Sequence, residues 1–390
     1  MKKKENIIFI ILVLLIISVG SLTLVKGEKD ISYRENRTLG TFPKLTVHGY
    51  LRGDFQNYFT TAFSDQFIGG ETVKAKTHSL LTFTDYTNIP EYICKNRYVN
   101  VSDTMSTFDC SEYIMPGPSK LSEEQESTIL DRLKVYSTLN EKVDMYYFLL
   151  ETPAMYDFEK NKPSIDILNI VKDNLKGKYK IDYLPIENFE NYKEHFYKTD
   201  HHWNYKGSYE AYKKIVKMMT KDKPLEPIEE KEFDAYFYGS AARSTQIFDY
   251  NEKFKVYRFK YPEYTVLVEG KKGEYGAEEE YFKGNYDTTP LNNHYGIYYG
   301  GDNGELVFDF NKPKKTNLLI LGSSYTNPIN KLIASHFNKT YVVDLRHYAW
   351  AKGEDFNIKE YLKDNKIDKV LIISDFNFLQ DHDFDIEWSK

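Results

Sequence analysis

The stretch Leu318-Leu319-Ile320-Leu321-Gly322-Ser323-Ser324-Tyr325-Thr326-Asn327-Pro328 joins four apolar residues to a glycine, two hydroxyls and, shortly after, a proline. Four apolar residues without alternation suit a strand covered on both faces, as in a parallel sheet. Gly322 ends the strand, and Pro328 stands where the first turn of a helix would begin. Such a strand–turn–helix projects a serine at the carboxyl edge of the sheet, where ligands of open α/β sheets bind. It also aims main-chain N–H groups at the same point, forming part of an oxyanion hole. The second glycine of the G-x-S-x-G elbow is missing, so this turn alone does not define an enzyme.

Working outward, strands and helices alternate. Downstream, the pattern predicts a helix over Ile329 to His336, a strand over Tyr341 to Val343, a helix over Asp355 to Leu362 and a strand over Val370 to Ile373. Upstream, Ser122 with Gln125 three positions later forms a capping box ahead of Ile129, Leu130, Leu133 and Tyr136, with Asn140 as the stop. A strand over Met145 to Leu150 follows. A second helix, capped by Ser164, carries Ile167, Leu168, Val171 and Leu175 and stops at Gly177. A strand near Tyr179 to Leu184 and a helix over Gly207 to Met219 complete the alternation. Short Tyr-, Val- and Phe-rich stretches between positions 233 and 310 predict a β-rich insertion of antiparallel hairpins. The expectation is a three-layer α/β/α fold with a central, mainly parallel sheet.

The amino terminus addresses location. Lys2, Lys3 and Lys4 precede an uncharged run from Ile7 to Val25, which as a helix spans ~28 Å, close to the ~30 Å core of a bilayer. No small-residue cleavage site precedes Lys26-Gly27. The expected organisation is a cytoplasmic tail (1–6), one transmembrane signal anchor (7–25), a stalk (26–50) and an extracytoplasmic domain (51–390), by the positive-inside rule. A cleaved signal peptide is the alternative. In that compartment Cys94 and Cys110 can form one disulfide; two free thiols are the other reading.

Composition narrows the classes. In 390 residues, 52 basic against 58 acidic side chains leave a net charge of -6, which argues against a nucleic-acid coat. Mean hydropathy of -0.58 excludes a multi-span membrane protein, and 41% hydrophobic residues exclude a disordered chain. The 34 Tyr and 25 Phe reflect either codon usage or a surface for stacking sugars.

The second chemical constellation is Thr199-Asp200-His201-His202-Trp203-Asn204, just before a helix. A serine hydroxyl is a weak nucleophile until an imidazole takes its proton, and that imidazole needs a carboxylate to fix its tautomer. Asp200 with its neighbouring histidines is the tight Asp/His grouping of the chain, whereas His48, His78 and His382 are scattered. The same cluster could instead hold a metal ion. Together with the Ser323-Ser324 turn it points to a serine hydrolase or acyltransferase.

These residues carry a family resemblance. Asp200-His201-His202-Trp203 is the naming motif of the DHHW family of Gram-positive bacteria, which resembles the SGNH-like acetyltransferase proteins of alginate O-acetylation. Those proteins carry Asp-x-His-Trp upstream of Gly-x-Ser-Tyr/Phe. Glu35-Asn36-Arg37, Phe42-Pro43 and Val343-Asp344-Leu345-Arg346-His347-Tyr348 also match, so the resemblance spans nearly the whole external chain. It implies an SGNH-hydrolase-like fold, permuted because the Asp/His pair precedes the serine. Their spacing of two, rather than three, is a further departure.

By the family pattern Asp200 is the acid, His202 the base and Ser324 the nucleophile, with Gly322, Tyr325, Arg346 and Trp203 as oxyanion or substrate neighbours. Arg346 could equally pair with Asp344. The implied function is a membrane-anchored serine acyltransferase that O-acetylates a cell-surface or secreted polysaccharide, with no metal and no cofactor of its own. Acetyl-CoA lies across the membrane, so a multi-span membrane O-acyltransferase is the implied partner. The alternatives are a carbohydrate acetylesterase, a non-catalytic glycan-binding or scaffold protein, and a metal-dependent hydrolase using Asp200, His201 and His202.

Overall fold

The four apolar residues before Gly322 form a strand in which every residue is buried, inside an eight-stranded sheet. In chain order the strands are β1 Asp144–Leu150, β2 Lys180–Leu184, β3 Thr265–Val268, β4 Lys271–Gly273, β5 Glu305–Asp309, β6 Leu318–Leu321, β7 Lys339–Val343 and β8 Lys369–Ser374. Their spatial order is β4-β3-β5-β7-β6-β8-β1-β2. From β7 to β2 all pairings are parallel. β5, β3 and β4 extend the β7 edge antiparallel. This computed structural model describes residues 2–32, 37–68, 94–98, 107–110, 112–139, 143–158, 160–245 and 247–381. Glu35, Asn36, His78, Asn140 and His382, singled out in the sequence, lie outside the described residues.

The strand period of two sorts β6 between two cores. Leu318 and Ile320 pack in one cluster with Tyr212, Ile215 and Val216, while Leu319 and Leu321 pack in the other with Ile129, Leu133 and Ile358. Helices α1 Glu123–Ser137 and α2 Ile167–Leu175 cover the second face, and α3 Tyr205–Met219 the first. The capping box at Ser122 forms in both directions, with Gln125 Oε1 accepting from Ser122 N and Ser122 Oγ from Gln125 N. The second helix is capped by Asp166 rather than Ser164; its carboxylate accepts from Asn169 N at the third helical position.

The parallel strands explain the permutation. Counted from β6, the order β7-β6-β8-β1-β2 reads 2-1-3-4-5, the doubly wound order whose topological switch point lies between the first and third strands. Here that point falls between the carboxyl ends of β6 and β8. Ser323 and Ser324 follow β6, and Asp375 follows β8.

Residues 233–310 divide between two sheets. Glu229–Tyr236 and Lys253–Arg258 pair as a separate two-stranded sheet, whereas β3, β4 and β5 join the central one. Leu306 and Phe308 of β5 are buried against the sheet, and their strand covers the β7 edge that would otherwise present unpaired backbone. The segment also carries helix α4, His294–Tyr299. Elsewhere, Cys94 of the strand Cys94–Tyr98 stands directly opposite Cys110 of the antiparallel strand Thr107–Cys110.

The chain divides into two compact units, residues 1–91 with 242–248, and residues 92–241 with 249–390; the sheet belongs to the second. In the first, Lys2–Val25 is one helix that contains the uncharged run. Its described side chains begin at Phe9, and among the described residues no helix is long and apolar enough to cross a membrane. The anchor at 7–25 therefore rests on the sequence. Residues expected as a stalk are tied to the helix Asp54–Gln66: Gln66 Nε2 donates to Lys29 O and Gly40 O, and Gly40 N donates to Asp65 Oδ2.

Candidate active site

The turn after β6 is set by a close approach. A Cβ on Gly322 would lie 2.3 Å from Thr326 Cγ2, so no larger residue fits without displacing that side chain. Gly322 N donates to Val343 O at 3.3 Å, which spends it on β7 and removes it as an oxyanion donor. Ser324–Thr326 then form one helical turn, closed by Thr326 N to Ser323 O (2.9 Å) and Asn327 N to Ser324 O (3.2 Å). The N–H groups of Ser324 and Tyr325 open that turn and have no partner within it.

Asp200, His201 and His202 sit in a run of bends, 198–202, inside the loop that the isolated bridge between Phe196 and Trp203 closes, and α3 follows at Tyr205. Asn204 caps α3 by accepting from Lys206 N and Gly207 N, and its own N–H donates to His195 O. The segment is thus fixed at both ends. A Cβ on Gly239 would lie 2.2 Å from Asp200 Cβ; its absence lets Ser240 N approach the carboxylate.

The buried Asp200 uses both oxygens. Oδ1 accepts from the His202 ring Nδ1 at 2.6 Å and from His202 N at 3.0 Å, and Oδ2 accepts from Ser240 N at 2.7 Å. An ionised carboxylate can only accept, so Nδ1 carries the proton and Nε2 is left as an acceptor. His202 Nε2 lies 2.8 Å from Ser324 Oγ. Burial alone would raise the Asp200 carboxyl. Attraction to His202 and His201, with the bonds from His202 and Ser240, outweighs burial and holds the group well below the usual carboxylate range.

The other sequence-derived residues divide. His201 turns its Nδ1 to Ser240 Oγ at 2.6 Å, while its ring, 45% exposed, lies against the His202 ring with centroids 3.8 Å apart. Trp203 is fully buried and meets Tyr325 edge-on at 5.9 Å, so it supports the site from beneath and does not reach substrate. Tyr325 is buried too, donating its hydroxyl to His201 O at 2.8 Å. Arg346 lies in α5, Leu345–Lys352, and lines a cleft of about 550 Å³ with Ser323, Ser324, His201 and Asp375. It is also paired: Nε lies 3.0 Å from Asp344 Oδ1, and Nη2 lies 2.5 Å from Asp344 Oδ2 and 3.3 Å from Asp302 Oδ2. The pairing with Asp344 that the sequence allowed is thus formed, by a side chain that also lines the cleft.

Two residues escaped the sequence. Tyr295, on α4, stacks on the His202 ring (centroids 4.1 Å, planes 18° apart) and donates its hydroxyl to Ser324 O at 2.8 Å. No motif marks it within Tyr295-Gly296-Ile297-Tyr298-Tyr299. Asp375 caps α6, Phe376–Gln380, and burial raises its carboxyl despite the N–H bonds from Phe378 and Asn377. Its place after a buried strand, as Gly322 follows β6, was a usable signal.

Asp200, His201 and His202 bring their ligand atoms within 4.8 Å of one another, as a metal would need. However, both Asp200 oxygens are engaged, and His202 Nε2 faces Ser324 Oγ. A cation would have to break the Asp200–His202–Ser324 chain, so the donor set fits proton transfer better than ligation.

Comparison with solved structures finds PatB1 of Bacillus cereus, 18% identical with a TM-score of 0.56, covering 73% of this chain and 100% of that one. A structure of PatB1 with a sulfonyl adduct is 21% identical with a TM-score of 0.54, covering 73% and 99%. A DHHW family protein from Eubacterium siraeum is 17% identical with a TM-score of 0.51, covering 73% and 96%. The O-acetyltransferase domain of Pseudomonas putida AlgJ scores 0.37 at 12% identity, covering 73% and 92%, too low to argue from. No protein-family model matches the sequence, and no match is found among curated proteins. The likeness first read in Asp200–Trp203 extends to the fold.

Proposed function

From a fold shared with a DHHW family protein, we propose that this chain is an extracytoplasmic serine acyltransferase that O-acetylates a polysaccharide. The observation that carries the reading is the chain Asp200 Oδ1, His202 Nδ1, His202 Nε2, Ser324 Oγ, with links of 2.6 and 2.8 Å, at the switch point of the sheet. The Ser324 hydroxyl gives its proton to His202 Nε2 as Oγ bonds to the carbonyl carbon of an acetyl ester. Asp200 stabilises the imidazolium. The N–H groups of Ser324 and Tyr325 receive the oxyanion. His202 then returns the proton to the leaving alcohol, giving an acetyl-serine. A sugar hydroxyl next loses its proton to His202 and takes the acetyl group, and Ser324 Oγ recovers a proton.

Arg346, held by Asp344 and Asp302, supplies a fixed cation on the cleft wall for a polar substrate. The uncharged run Ile7–Val25 and its three preceding lysines support a membrane anchor with the domain outside. A multi-span membrane O-acyltransferase would then deliver the acetyl group, and the chain needs no cofactor. PatB1 has been solved with a sulfonyl adduct, and a similar capture is the expectation for Ser324 here.

The test mixes the protein with an acetyl ester donor and a glycan, and weighs the products. Acetylated glycan supports transfer. Acetate alone, at equal rates with and without glycan, would make the protein an esterase.

A further inference from the structure

We infer that Tyr295 is a positioning residue of the catalytic centre, acting on the base and on the backbone of the nucleophile together. This rests on the serine acyl-transfer reading above. Tyr295 is fully buried and wedged edge-on between Tyr197 (6.2 Å) and Tyr299 (5.2 Å), so its own place is fixed. Its two contacts fall on residues 93 and 29 positions away in the sequence, His202 and Ser324.

The ring contact acts on the base. Asp200 fixes one edge of the imidazole, but a hydrogen bond along that edge leaves the ring free to tilt about it. The Tyr295 face, 4.1 Å away and 18° from parallel, limits that tilt together with the more tilted rings of His201 (3.8 Å) and Tyr325 (4.9 Å), and it is the one that stacks flat, holding Nε2 on Ser324 Oγ. When the serine proton moves, the imidazole becomes a cation lying on a π face, which stabilises it. Stacking therefore helps the charged state more than the resting one, as a contribution to kcat requires.

The hydroxyl contact acts on the nucleophile's main chain. Ser324 O accepts from Tyr295 Oη at 2.8 Å and from Asn327 N at 3.2 Å. A peptide unit is planar, so fixing this carbonyl also fixes the N–H of Tyr325 on the same unit. That N–H is one of the two oxyanion donors. A single side chain thus sets the base and a donor relative to each other.

The experiment compares Tyr295→Phe and Tyr295→Leu in the full chain, by rate of fluorophosphonate labelling and by kcat and KM on an aryl acetate. Tyr295→Phe keeps the ring and should lower kcat about threefold to tenfold, the worth of one hydrogen bond. Tyr295→Leu loses both contacts and should lower kcat roughly thirtyfold to a hundredfold. KM should hold in both. Wild-type kcat in Tyr295→Leu, or equal losses in the two variants, would overturn the inference. Should the leucine variant not fold, the wild type still decides. The His202 ring protons, identified by their loss in His202→Gln, should resonate upfield of those of His201 because the Tyr295 ring shields them. Unshifted resonances reject the stack. If Ser324→Ala is labelled as fast as wild type, the acyl-transfer reading itself has failed, which is a separate result.

Discussion

Asp200 has no free oxygen, and the consequences can be measured. His202 Nδ1, His202 N and Ser240 N bind the carboxylate, which fixes the tautomer of the base. On the proposed mechanism Asp200, His202 and Ser324 work as a unit, so their losses should not add. Ser324→Ala, His202→Gln and Asp200→Asn should each lower kcat on an aryl acetate by about 10³-fold or more, and the Ser324→Ala/His202→Gln double variant should be no slower than either single one. The lowered pKa of Asp200 also has a sign. A group whose folded pKa lies below the ordinary 3.8 stabilises the fold above that value and loses the effect as pH falls through the folded pKa. The Tm gap between wild type and Asp200→Asn should therefore narrow as the pH falls below about 4. A gap that widens on acidification would reverse the assignment.

At the scale of elements, the strand–turn–helix around Gly322 depends on one missing methyl group. Gly322→Ala should destabilise by about 1–3 kcal/mol, since its Cβ must displace Thr326 Cγ2. Thr326→Ser in the same chain deletes that methyl and should recover most of the loss, measured by denaturant unfolding. A double variant no more stable than Gly322→Ala would show that the Thr326 methyl is not the source of the strain. This element was legible in the sequence because its signals are local: four apolar residues, a glycine, hydroxyls and a proline. The capping box at Ser122 was legible for the same reason. The fate of β3 and β5 was not. Alternating Val, Leu and Phe residues predict strands, but the open edge of β7 that claims them is created by residues elsewhere in the chain. Tyr295 was hidden likewise, because only the fold brings it to His202.

For the whole molecule, the permutation accounts for an order that looked wrong. Ser324 comes after the Asp/His pair in the chain, yet the parallel strands counted from β6 follow the doubly wound order with the site at its switch point. The aromatic excess also finds its place. Tyr136, Tyr146, Tyr147, Tyr192, Tyr197 and Tyr212 are among the largest fully buried side chains, so tyrosine here is mainly a core residue. Among the described residues of the sheet-bearing unit, the exposed large aromatics are Tyr236 and Trp350, while the half-buried Phe259, Tyr261 and Tyr264 line a cleft away from Ser324. Cys94 and Cys110 stand opposite each other on paired strands, within reach of a disulfide. The protein secreted under oxidising conditions should resist alkylation by iodoacetamide at both positions until reduced, read by peptide mass. Alkylation without reductant would mean two free thiols.

The central claim is that Ser324 Oγ is the atom that carries the acyl group. It is tested most directly by mixing the protein with an aryl acetate, quenching in acid and weighing the intact chain and its peptides. The account predicts an acetyl adduct confined to the peptide containing Ser324, absent from Ser324→Ala and undiminished in excess chelator. An adduct on another residue, or turnover that persists in Ser324→Ala, would contradict it.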